Sequence, residues 1–137
     1  MEKNFFEFSY GTFIGIITWF FGGLDSFVQV LITFAAIDYI TGICASIIQK
    51  QKLSSALGFK GITRKVYMFI LVGMAHIIDF HILGNSQALK TAVCLFYIGN
   101  EGISILENAH KMNIPIPKFL EDKILHFTDQ DNHSEQK

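Results

Sequence analysis

Phe27 to Ile48 reads FVQVLITFAAIDYITGICASII, and Asp38 is its only charge in about 22 residues. An apolar run of that length is enough to cross the roughly 30 Å hydrocarbon core of a bilayer. Lipid offers no partners to backbone N–H and C=O groups, so a single span must close its hydrogen bonds internally, as a helix.

Three more apolar runs flank this one. Val66 to Leu83 gives about 18 residues, interrupted by His76, Asp79 and His81. Thr91 to Leu106 gives about 16, short unless the Glu107–Lys111 flank continues the helix. Phe5 to Phe21 gives about 17, with Glu7 near its start. On that run Gly11, Gly15, Thr18 and Gly22 share one helical face, the small-residue stripe by which membrane helices approach closely. Residues 5–22 either span or lie in the interface. A cleaved signal peptide is the competing assignment, but no small-x-small cleavage site follows Phe21 and the charged n-region is thin.

The fold class that follows is all-α: integral membrane helical hairpins with three to four transmembrane helices, spanning about 5–22, 27–48, 66–83 and 91–107. Composition agrees. The 137 residues are half hydrophobic, with 14 Phe, a mean hydropathy of +0.37 and 17% charged residues, where a soluble domain carries about a quarter. A net charge of −1 gives no bulk attraction to nucleic acid, so no nucleic-acid partner is expected. Cys44 and Cys94 both sit inside apolar runs and read as small packing residues.

Residues 49–65 read as a basic loop, with Lys50, Lys52, Lys60, Arg64 and Lys65 and no acid. The positive-inside rule puts it in the cytoplasm, and the C-terminus after the last run with it. Its cations are topology determinants first and lipid-headgroup contacts second. Residues 1–111 thus form a transmembrane domain and 112–137 a cytoplasmic segment. In the latter, Pro115 and Pro117 precede a helix start, and Ile116, Leu120, Ile124 and Phe127 share a face. This is a short amphipathic helix on the membrane surface or against the bundle. Thr128 to Lys137 is polar throughout, and a mobile tail is expected there.

Polar groups inside the spans cost roughly 2.5–3.5 kcal/mol each when ionisable, so they face other helices or water. On the last span Tyr97, Glu101, Ser104 and Asn108 form one row and Asn100, Ser104 and Glu107 an adjacent one, opposite Leu95, Ile98 and Ile105. On the third, Gly73, His76 and Asp79 align at steps of three. On the second, Asp38, Thr41, Gly42 and Ala45 make a small-and-polar face with Gly42-x-x-x-Ser46 inside it. These residues are either interhelical hydrogen-bond glue or the lining of a watery path. His76, Asp79 and His81 alone are a poor ligand set, so no metal and no cofactor is expected. Catalytic and phosphate-loop motifs are missing from the sequence, which argues against an enzyme.

Two longer stretches carry a family resemblance. AIDYITGICASIIQKQKLSSALGFKGITRKV (Ala36 to Val66) and YIGNEGISILENAHKMNIPIPKFLEDKI (Tyr97 to Ile124), with IIDF around Asp79 between them, resemble the phage-lysis and toxin-secretion holins, a family that includes the clostridial toxin-release holins. The resemblance covers Ala36 to Leu125. One departure is Asn113, near a place where the family often has Gly before Pro-x-Pro.

The resemblance implies a small multi-pass protein of the bacterial host cytoplasmic membrane. It would assemble with itself as a homo-oligomer in the lipid bilayer, then open large non-selective lesions that release an endolysin or a toxin and lead to lysis. The polar faces would then be interhelical contacts in one state and lumen lining in another. A selective ion channel or proton-coupled transporter subunit, with Asp38, Asp79 and Glu101 as a relay, is the alternative, and a passive membrane adaptor a third.

Overall fold

The computed structural model describes residues 1–132, with side chains over 1 and 3–126. Five helices form among the described residues: α1 Glu2–Phe21, α2 Ser26–Ile48, α3 Ser55–His81, α4 Ala88–Lys111 and α5 Lys118–Asn132. The all-α expectation holds. α2, α3 and α4 are long and apolar enough to cross a membrane, and α1 does not join them. At 1.5 Å per residue they measure about 34, 40 and 36 Å.

α2 and α4 run in the same direction and pack most extensively, with α3 antiparallel to both. The core takes Val28, Leu31 and Ala35 from one stripe of α2, Met68 and Val72 from α3, and Cys94 and Ile98 from α4. Ile98 was expected on the face away from the polar row; it is instead 6% exposed and part of this core. Ile32, Ile40, Ile47, Ile70 and Met74 point outward, as lipid-facing positions do. Where lipid tails are as apolar as leucine, such a core holds by close van der Waals contact.

The helix ends have local causes. α1 stops at Gly22, which takes φ 67°, and the Gly23 N–H returns to the Thr18 carbonyl at 2.8 Å, a glycine C-cap. Asp25 then caps α2 by accepting from the Val28 N–H at 3.0 Å. α4 ends in a turn where Asn113 stands at φ 55° and the Ile114 N–H reaches the Ala109 carbonyl at 3.0 Å. Asparagine is one of the few non-glycine residues at ease there, so the departure at Asn113 leaves this turn intact.

α5 turns back along α4 and lies against the bundle. Ile124 is buried, and a Cβ at Gly102 would stand 2.8 Å from its Cγ2, so α5 docks where α4 has no side chain. α5 continues to Asn132, beyond the Thr128 boundary expected for a polar tail; residues 133–137, and the Phe127 side chain, lie outside the described set.

Two expectations are corrected. Residues 49–65 are not one loop: α3 begins at Ser55, and only Gln49–Ser54 links the helices. Ala56 to Lys65 lacks Pro and most turn residues, so the basic run simply extends the apolar helix by about three turns. Within this one chain, Gly11 and Gly15 meet no neighbour within 4 Å. α1 touches α3 only near its own end, where Phe20 covers Gly73 and Phe21 meets Phe69 edge-on at a ring spacing of 6.2 Å.

Candidate functional site

The polar groups fall into two clusters at different depths. The first is near mid-bundle. Asp38 lies twelve residues past Ser26, about 18 Å along α2. Lys65 of α3 donates from Nζ to Asp38 Oδ2 at 2.8 Å and to Glu101 Oε2 of α4. All three side chains are only 14–17% exposed. Asn108, one helical stripe beyond Glu101, donates from Nδ2 to Asp38 Oδ1 at 3.1 Å and to Thr41 Oγ1 at 3.1 Å. Thr41 donates to the Asp38 carbonyl at 3.1 Å. One ammonium faces two carboxylates, so the formal charge of the cluster is −1. A half-compensated charge in a low-dielectric interior needs further solvation.

The second cluster ties the opposite end. α4 has no cap of its own, since Gln87 is left-handed and makes no side-chain cap bond. Asp79 of α3 supplies it. Its carboxylate accepts from the Leu89 N–H at 3.2 Å, the Lys90 N–H at 2.7 Å and the Ser86 hydroxyl at 3.2 Å, where a helix N-terminus favours an anion. Lys90, 2% exposed, donates from Nζ to Asp25 Oδ2 at 2.7 Å. Burial alone would raise the Asp25 carboxyl, but the Lys90 ammonium and the Val28 N–H outweigh it and hold it below its ordinary value.

The structure therefore brings Asp38, Thr41, Glu101 and Asn108 together, with Gly42 close against Asn108 and Ser104 on the wall of an adjoining cavity. It separates the others. Asp79 is a helix cap remote from Asp38 and Glu101, so the three acids form no continuous relay. His76 is buried against Gly22 and beside Phe80. Tyr97 packs on the apolar core. Asn100 and Glu107 are exposed on the outer face of α4, away from the inward row. Lys50, Lys52, Lys60 and Arg64 are exposed at the α2–α3 end, but Lys65 is no headgroup contact: it sits inside the bundle.

Sequence reasoning missed Lys65, Lys90 and Asp25 as structural ions. The signal existed. Lys65 and Lys90 directly precede the apolar runs at Val66 and Thr91, and facing spans carry acids without cations.

Fold and site together define a multi-pass helical membrane protein with an ion cluster closed inside one bundle. The family model for the bacteriophage holin family matches residues 15–129. A protein from Bacillus phage phi105 described as a probable holin is 34% identical over 110 residues, 80% of this chain and 79% of its own. An uncharacterized Listeria monocytogenes protein is 43% identical over 125 residues, 91% of this chain and 88% of its own. An uncharacterized Clostridium perfringens protein is 35% identical over 121 residues, 88% and 89%. No solved structure matches. The chain belongs to the bacteriophage holin family.

Proposed function

We propose that this chain is a holin of the bacterial cytoplasmic membrane, whose copies associate and open large non-selective lesions that pass an endolysin or a secreted toxin and lyse the host. Family membership supports the class. The observation that carries self-association is Asn100. It lies twelve residues into α4, near its midpoint, and its side chain is exposed beside Phe96, which is 45% exposed. The charged groups at comparable depth turn inward onto one another within the chain; this amide is turned toward lipid. An amide both donates and accepts, so Asn100 of a second copy is a fitting partner.

The cations Lys50, Lys52, Lys60 and Arg64 hold the α2–α3 end in the cytoplasm, and the C-terminus with it. Asp38, Lys65 and Glu101 face one another in the lone bundle. They line a continuous lumen across the membrane only after the helices part, which is the second state of the polar faces.

The test is inducible expression in a bacterium, with viability and release of a cytoplasmic enzyme measured at matched membrane levels. The parent should kill and release the enzyme. Asn100→Leu should insert, crosslink poorly and release little. Killing without enzyme release would favour a selective channel, and parental crosslinking by Asn100→Leu would remove this face as the contact.

A further inference from the structure

We propose that the cavity between the second half of α2, the first turns of α3 and α4 is a water-filled vestibule, entered beside the α2–α3 link and closed at the other end, which hydrates the Asp38 and Lys65 side of the ion cluster in the intact protein. The cavity measures about 550 Å³. At about 30 Å³ per water that is room for on the order of fifteen to twenty molecules. Its mouth carries Gln51, Lys52, Ser54 and Ser55 beside Leu53 and Leu57, Tyr39 and Ile43 add apolar wall, and its deep end holds Asp38, Lys65, Ser104 and Asn108. The space exists because Gly42, Ser46, Gly58 and Gly61 leave it open; a Cβ at Gly61 would meet nothing within 4 Å.

Chemistry selects water as the occupant. The deep wall belongs to a cluster with a formal charge of −1, and an acyl chain there would strip solvent from the Asp38 carboxylate, which shares one ammonium with Glu101. Elsewhere the bundle has grooves with no ionised wall. One lies between Ile17, Phe20, Leu24, Ile32, Val66 and Ile70, with an entirely apolar lining suited to lipid. Beyond the cluster, Leu31, Met68, Val72 and Ile98 close the path, with exposures of 0 to 6%. The vestibule is therefore blind: half of a permeation path is present before any assembly.

The test uses the full-length protein with Cys44→Ala and Cys94→Ala, in sealed membrane vesicles of each orientation, and charged, membrane-impermeant methanethiosulfonate reagents. Ser55→Cys, exposed at the mouth, defines the accessible face. Ser104→Cys should react from that same face and not from the other. Adding Gly61→Leu, which fills the vestibule, should abolish the Ser104→Cys reaction while leaving Ser55→Cys unchanged. Reaction of Ser104→Cys with a permeant maleimide alone would mean a dry cavity, and reaction from the opposite face would mean an open path; either overturns the proposal. Labelling is read without lesion formation. Its failure leaves the holin function standing, and failure of lysis leaves the vestibule standing.

Discussion

Replacing Lys65 with Met removes the ammonium between Asp38 and Glu101 while keeping most of the length of the side chain. Both carboxylates are about 85% buried, with side-chain exposures of 15% and 14%. Removing one partner of a buried pair costs roughly 3–5 kcal/mol, because a charge is left without compensation. Asp38 retains the Asn108 amide at 3.1 Å, so most of the loss falls on Glu101. The expected cost of Lys65→Met is therefore about 3–5 kcal/mol, in denaturant titrations of purified protein in mixed micelles with the slope held common. The triple variant Lys65→Met, Asp38→Asn, Glu101→Gln removes the carboxylates too and should regain most of that stability. A single variant within about 0.5 kcal/mol of the parent, the size of an ordinary surface substitution, would refute a closed ion cluster. So would a triple variant no more stable than the single.

Three further outcomes follow from other parts of the bundle. Asp79→Ala strips α4 of its borrowed cap and should cost about 2 kcal/mol, the upper end for a cap, with faster amide exchange at Leu89 and Lys90; unchanged exchange there would show that α4 starts without it. Asp25 has its folded-state value held below 3.8, so its contribution is present above that pH and is lost as pH falls through the lower folded value; Asp25→Asn should flatten the stability profile below pH 4 relative to the parent, and parallel profiles would exclude the Lys90 pairing. Gly73→Leu meets the Phe20 ring, so spin labels at Ile17 and Ile70 should move apart while α2 to α4 keep their protection; an unchanged distance would mean that α1 is held some other way.

Much of the fold was legible because membrane helices announce themselves by length and apolarity. Phe27 to Ile48 matches α2 almost to the residue. The start of α3 was not legible, since charge marks where a helix leaves lipid and says nothing about where its backbone bonds begin. Periodicity placed Asp38, Thr41, Glu101 and Asn108 on inward faces, and the structure joins them. It also put Asn100 in the polar row, although a residue one step round the helix from Glu101 points elsewhere. Asp79 was read as part of a face when its role comes from position, one turn from the end of α3 and beside the start of α4. Lys65 and Lys90 stand at run boundaries, where a long side chain can turn inward or snorkel outward; only packing decides which.

The central claim, that assembled copies open a path wide enough for a folded protein, is tested most directly by reconstitution. The purified full-length chain is added to liposomes loaded with two fluorescent markers, a small ion indicator and a dextran the size of a folded enzyme. Above a threshold protein density both markers should escape together, and Asn100→Leu should raise that threshold. Escape of the ion signal alone, with the dextran retained at every density, would contradict the account and leave a narrow channel in its place.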